Sequence, residues 1–386
     1  AYRLVWAAGA FAGDAAGRSR GLITGAVVIC ILATLVSWAT SPATGAIISL
    51  GLLLAWLAVG GFTGRRLAGA TAIAAYATLL SLQIAAVILS ASRGPFLGLV
   101  CSGFFFVLLV AARLRSRRLL LGLAAVSLAL LAVFALIRLP GTPLSQVQDS
   151  PVAGRLSSVL ETGGSARVRL LLWQQALDTA GADPLRAIIG YGPETGRQAM
   201  AAHYPAALGQ VEDRAAEPDR AHNELMDRLV TTGVVGVSLY YAFLLSLLVT
   251  GLRSIGVLGP HGGVRRLLVG VGLGTVVLTA LVRWFDDAWR LIALSMPLGL
   301  LAGTALAVAM PAPGRPVPGE QPRLSQRDLL GIALVAATLG HVVEIHFGIP
   351  TISSSLVFWA FAALLLINAR RGTGDNAAAA GVPPAN

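Results

Sequence analysis

A chain of 386 residues that is 56% hydrophobic and 12% charged does not read as an ordinary soluble domain, where about a quarter of residues are charged. Its net charge of +11 does not point to nucleic acid: all 29 basic residues are arginine, and most gather in short clusters between apolar runs, which is a topology signal. Cys30 and Cys101 both sit inside apolar runs, which argues against a structural disulfide and leaves no metal-ligand spacing.

The apolar runs have the length a helix needs to cross a bilayer. In chain order they predict ten spans, at about 21–40, 43–62, 67–90, 94–112, 119–138, 224–250, 267–284, 290–310, 329–347 and 350–369. The expected fold is therefore an all-α polytopic membrane protein, because backbone groups in lipid must be satisfied within the segment. Four regions follow: N-terminal membrane helices over 1–138, a long loop over 139–223, C-terminal membrane helices over 224–371, and a disordered tail over 372–386. The chain begins at Ala1 without a signal-peptide pattern, so further helices upstream are expected.

Arginine clusters alternate by side. Arg18 and Arg20, Arg65 and Arg66, Arg113 to Arg118, Arg253 to Arg266, Arg315 to Arg327, and Arg370 with Arg371 all fall on one side, which the positive-inside rule makes cytoplasmic. The long loop then lies outside. It holds nine of the eighteen acidic residues, and a single long polar loop is where recognition or chemistry concentrates. Within it, Ser165 to Ala180 has helical periodicity and stops at Gly181. The apolar face Val168, Leu171, Leu172 and Ala176 predicts a short amphipathic helix lying on the membrane surface. Gly190-Tyr191-Gly192 follows as a turn that sets Glu194 beside closely approachable backbone.

Several polar groups stand on the outer face. His222 precedes an apolar span, at a depth where an imidazole needs a partner and where helix N–H groups favour an anion; capping is the alternative reading. Arg93, in Ser92-Arg93-Gly94-Pro95, breaks the charge rule, and its planar fork fits diphosphate oxygens; a snorkelling arginine on lipid phosphate is its alternative. Arg169 lies four residues before Trp173, so the two share a helix face suited to a cation–π pair. Asp286, Asp287 and Arg290 beside Trp284 and Trp289 read as neutralised interface anchors. His341 and Glu344 can share a helical face, but His346 lies five residues from His341, a poor fit for a shared metal, and no metal or cofactor is expected.

His222-Asn223, nine residues, Gly233, two residues, Gly236 resembles the signature of the O-antigen ligase family, membrane glycosyltransferases of ligase and polymerase type. Ser92-Arg93-Gly94 resembles the family's outward arginine motif, and Arg169 to Trp173 followed by Gly190-Tyr191-Gly192 resembles its loop segment. Arg167 competes with Arg169 for that place; the spacing to Trp173 favours Arg169. The resemblance implies metal-independent, inverting transfer of a glycan from undecaprenyl diphosphate to an acceptor hydroxyl, at the outer face of a bacterial cytoplasmic membrane. The acceptor is a glycan, lipid or protein. Arg93 and Arg169 are then expected to bind the diphosphate, with His222 as base or phosphate binder and Glu194 as a second candidate base. Asn223, Arg220 and Trp173 are expected to support the site, with Gly233 and Gly236 allowing close helix packing. A transporter or flippase for an anionic, lipid-linked substrate is the rival reading, and a non-catalytic scaffold a second; the transporter would require polar groups along a transmembrane path.

Overall fold

A computed structural model describes residues 77–87, 90, 92–138, 165–212, 217–259, 262–285, 289–310 and 324–379. The expected spans 21–40 and 43–62, Cys30, Asp286 and Asp287 lie outside the described residues, as does the loop before 165. The chain divides into two units at Ser92. In the first, a short apolar helix, α1 (Ala77–Val87), occupies part of the expected third span.

The second unit is built from helices joined by loops, without strand among the described residues. They are α2 (Arg93–Arg113), α3 (Arg117–Arg138), α4 (Ser165–Gly181), α5 (Pro184–Ile189), α6 (Gly196–Ala201), α7 (Glu224–Ser254), α8 (Gly263–Phe285), α9 (Ile292–Ala309), α10 (Gln326–His346) and α11 (Ile352–Ala379). Among the described residues, six helices are long and apolar enough to cross a membrane: α2, α7, α8, α9 with the turn before it, α10, and α11 as far as Arg370. α3 forms over the expected fifth span. α11 runs on past 371, because the alanine-rich sequence after Asn376 favours helix.

Helix α10 is central, with 72% of its apolar window buried, whereas α8, at 11%, is peripheral. Leu109, Leu244, Leu248, Leu252, Ile332 and Leu339 form the main core. Lipid is as apolar as leucine, so contact between spans relies on close backbone approach. Gly98 meets Gly340 backbone to backbone, and Ser102 donates to the Ala336 carbonyl at 3.0 Å. At the other end of this antiparallel pair, Arg113 bonds Asp328 at 3.4 Å. Asp328 also completes the capping box that starts α10. Gly270 and Gly274 pack in the same close manner on Gly303 and Gly299, joining α8 to α9.

The loop corrects one expectation. The face of α4 does not simply lie on a membrane surface: Leu172, Trp173 and Ala176 are buried in a second core with Met200, Met226, Val230 and Tyr241. Polar residues of the same helix are buried too, because protein supplies their partners. Gln175 donates to the Met200 carbonyl at 2.7 Å and Thr179 to the Gln175 carbonyl at 2.7 Å.

Gly233 also differs from expectation. It does not let an unbroken helix pack closely; it breaks α7, at φ 64° and ψ −171°. The carbonyls of Val230 and Thr231 accept instead from Tyr191 N–H at 2.8 Å and Gly192 N–H at 2.9 Å. Gly190, at φ 77°, lies directly on the Thr231 carbonyl, and Gly233 on that of Ile188, so a Cβ at either would overlap backbone. Left-handed backbone alone costs an L-residue about 1–2 kcal/mol. We therefore expect Gly190→Ala and Gly233→Ala each to destabilise the detergent-solubilised protein by about 2 kcal/mol or more in equilibrium unfolding. The double variant should lose less than the sum, because both break one contact. Gly103→Ala, with open space around it, should be neutral or stabilising.

Candidate active site

The residues singled out in the sequence gather at one end of the helices: the starts of α2 and α7 and the end of α10. Arg93 opens α2, and Gly94 lies against the carbonyls of Glu344 and Phe347 at the α10 end. Asn223 reaches the same place. Its amide donates to the His346 carbonyl at 3.0 Å and the Ala293 carbonyl at 3.2 Å, while its oxygen caps α7 at Met226 N–H. One fully buried side chain thus ties three membrane helices together and fixes the residue before it, His222.

His222 is half-buried, at φ 57°, with Nδ1 3.4 Å from the Arg220 carbonyl. Positive φ is uncommon for a residue with a Cβ, and it persists only where the surroundings over-determine it. Here they do. Ala221 accepts from Trp173 Nε1 at 3.1 Å, donates to Asp227 Oδ1 at 2.6 Å, and is fully buried. Glu194 shares the conformation, at φ 58°. Its carboxylate is 85% exposed and pairs with Arg220 at 3.2 Å.

Trp173 is 4% exposed and spends its indole N–H on Ala221, and the charge that acts on Arg169 is that of Arg93. Burial first, and then the positive charge of Arg93, hold the Arg169 guanidinium below the ordinary arginine range. Two like charges, one at the start of α2 and one on α4, thus act on one another, and the next turn of α4 is bonded to the residue before His222. Such an arrangement is stabilised by an anion placed between them. Arg167, the competing position, is exposed.

A cavity of about 610 Å³ lies between Glu194 and the start of α7. One wall carries Glu194, Arg220, Glu224, Asp227 and Arg228; the other comes from the start of α11, including Thr351, Ser355 and Trp359. Arg228 bonds Glu224 at 2.5 Å and covers the Tyr240 ring at 3.8 Å. Glu224, Asp227 and Arg228 were not singled out from the sequence. Their i, i+3, i+4 spacing at the head of an apolar span was the available signal, since charged groups there face protein or water and not lipid. Gly236 sits outside the cavity lining, against the side chain of Thr232.

His341 and His346 serve separate ends. His341 pairs with Glu344 at 3.4 Å and stacks on Phe358. His346 is buried, with Nδ1 donating to the Val342 carbonyl at 2.6 Å and Nε2 accepting from Tyr241 at 2.7 Å. Trp289 lies under Arg283 at 5.5 Å, and Trp284 is 85% exposed, as an interface anchor would be.

The apolar spans among the described residues support a multi-pass membrane protein, with a group of charged side chains where the polar loop meets the start of α7. Residues 76–241 match the family model described as O-antigen ligase, and this match supports an O-antigen ligase-family assignment for that segment. The matched segment contains Arg93, Arg169, Trp173, Glu194, His222, Gly233 and Gly236. Neither the curated proteins nor the solved structures gave a match.

Asn223→Ala removes two donors and a cap from a buried junction, and each carbonyl left unsatisfied costs about 1–3 kcal/mol. We expect it to lower the stability of the solubilised protein by about 2–4 kcal/mol in thermal unfolding. Tyr241→Phe, which leaves a single buried imidazole nitrogen without its donor, should cost about 1–3 kcal/mol.

Proposed function

We propose that this protein transfers a glycan from a polyprenyl-diphosphate-linked donor, undecaprenyl diphosphate in bacteria, to an acceptor hydroxyl at the outer face of the cytoplasmic membrane. The family match supports glycan transfer of the ligase or polymerase type. The observation that supports the finer reading is the pair Arg93 and Arg169, whose charges act on one another. A polyprenyl diphosphate is already a good leaving group, so catalysis chiefly requires charge stabilisation as the glycosidic bond breaks. Two guanidiniums supply the fork geometry and positive charge that a metal would otherwise bring. Attack of the acceptor oxygen on the anomeric carbon from the face opposite the diphosphate inverts that centre.

His222 stands in a backbone conformation held by its neighbours, as the acceptor base or as a hydrogen-bond donor to the phosphate. Glu194, paired with Arg220 at the cavity rim, is the second candidate base. Arg220, Trp173, Asn223, Gly233 and Gly236 act in support, through the contacts that set the His222 segment and the α7 break. The positive-inside pattern supports the outward placement. Arg113 and Arg327 lie at the opposite helix ends from the site, bonded to Asp328 and to the Asn368 carbonyl.

The test is release of undecaprenyl diphosphate by purified full-length protein given a lipid-linked oligosaccharide and a panel of acceptors. Acceptor-dependent release should survive EDTA. Arg93→Ala, Arg169→Ala and His222→Ala should each lower turnover by about 10²–10³. Near-normal turnover in any of them removes that residue from its role. Donor binding without release across the panel would replace the transfer reading with transport.

A further inference from the structure

The transfer reading leaves open where the acceptor sits, and the 610 Å³ cavity has a chemistry of its own. Its lining holds four carboxylates, Glu194, Asp219, Glu224 and Asp227, and three guanidiniums, Arg197, Arg220 and Arg228. Each guanidinium is committed: Arg197 to Glu217, Arg220 to Glu194, and Arg228 to Glu224 and the Tyr240 face. The threonines are committed as donors as well. Thr231 Oγ1 donates to the Asp227 carbonyl at 2.8 Å and Thr232 Oγ1 to the Arg228 carbonyl at 2.9 Å. Asp227 uses Oδ1 for Ala221, while Oδ2 is buried and takes no hydrogen bond from the described residues.

What remains to meet a ligand is mixed: carboxylate oxygens and hydroxyl lone pairs that accept, and the further N–H groups of each paired guanidinium that donate. A phosphate fits badly where carboxylates outnumber guanidiniums. A cation fits no better, with three guanidiniums close by. A group that donates several hydrogen bonds and carries no charge fits, and sugar hydroxyls are that group. Across the cavity, Trp359 is 53% exposed and offers an amphipathic ring on which the apolar face of a sugar can lie.

Resting on the glycan-transfer reading, we propose that this cavity is the acceptor subsite. It takes an unphosphorylated sugar, with Asp227 accepting a hydrogen bond from a sugar hydroxyl and Trp359 stacking on the ring. Donor diphosphate and acceptor sugar are then sorted by opposite chemistry, paired guanidiniums for one and acceptor-rich carboxylates for the other. A site built to hydrogen-bond hydroxyls discriminates strongly against ligands that lack them.

The experiment uses the full chain in lipid nanodiscs and a diazirine-bearing alkyl glycoside of an unphosphorylated disaccharide, with labelled peptides mapped by mass spectrometry. Label is expected within 219–232 and 350–359. Excess unlabelled disaccharide glycoside should suppress it, and inorganic pyrophosphate at the same concentration should not. Asp227→Asn keeps an oxygen for the Ala221 N–H but replaces the other oxygen with a donor. It should lower labelling about tenfold or more with little change in unfolding temperature. Trp359→Ala should lower labelling without altering binding of a prenyl diphosphate. Label elsewhere, equal label in both variants, or suppression by pyrophosphate would overturn the assignment. Release of undecaprenyl diphosphate, followed in parallel, separates the two ideas. Turnover without cavity label overturns the subsite alone, and cavity label without turnover overturns glycan transfer alone.

Discussion

A broken helix in an apolar setting has to find partners for the carbonyls it frees, and that requirement organises this protein. The break at Gly233 opens the backbone of α7 at Val230 and Thr231, and the two N–H groups of Tyr191 and Gly192 close it. The loop is consequently not an appendage above the membrane helices. It is hydrogen-bonded into one of them, with Gly190 and Gly233 providing the room. In a medium where each unsatisfied backbone group costs several kcal/mol, this pairing fixes the loop more firmly than its few apolar contacts could.

The consequences reach the site. The same docked loop sets Glu194 three residues beyond Tyr191 and brings α4 against α7, where Trp173 holds Ala221. Asn223 then joins that segment to the ends of α9 and α10. His222 is clamped between those two attachments in a conformation it would not choose alone. Arg93 and Arg169 come from helices separated by the whole of α3 and the early loop. Their charges act on one another, with Gly94 letting α2 lie on the α10 end while α4 is pinned from the other direction. Positioning is supplied by rigid helix ends and buried amides, with the charged groups carried at their tips.

Much of this was legible in the sequence. Apolar run lengths located the membrane helices among the described residues, and the lone outward arginine, the loop arginine and the His222-Asn223 pair with its glycines named the site residues proposed above. What was not legible depended on three-dimensional partners. Gly233 reads equally well as a packing glycine or a break, since periodicity continues across it; only the partner N–H groups decide. Trp173 was assigned to Arg169 by helical spacing, but a carbonyl 48 residues away claimed it. The α4 face reads as membrane-surface amphipathy because a sequence cannot say whether lipid or protein will cover it. Glu224, Asp227 and Arg228 were absorbed into the start of a span, although their spacing on one face was visible.

The account rests on Arg93 and Arg169 forming one anion site. Its most direct test is titration of a short-chain prenyl diphosphate onto the full-length protein in nanodiscs, comparing wild type with Arg93→Gln, Arg169→Gln and the double variant. One shared site predicts affinity lowered about tenfold or more by each single change, with the double variant losing less than the product of the two, and no effect of EDTA. Unchanged affinity in the double variant would contradict it and place the diphosphate elsewhere.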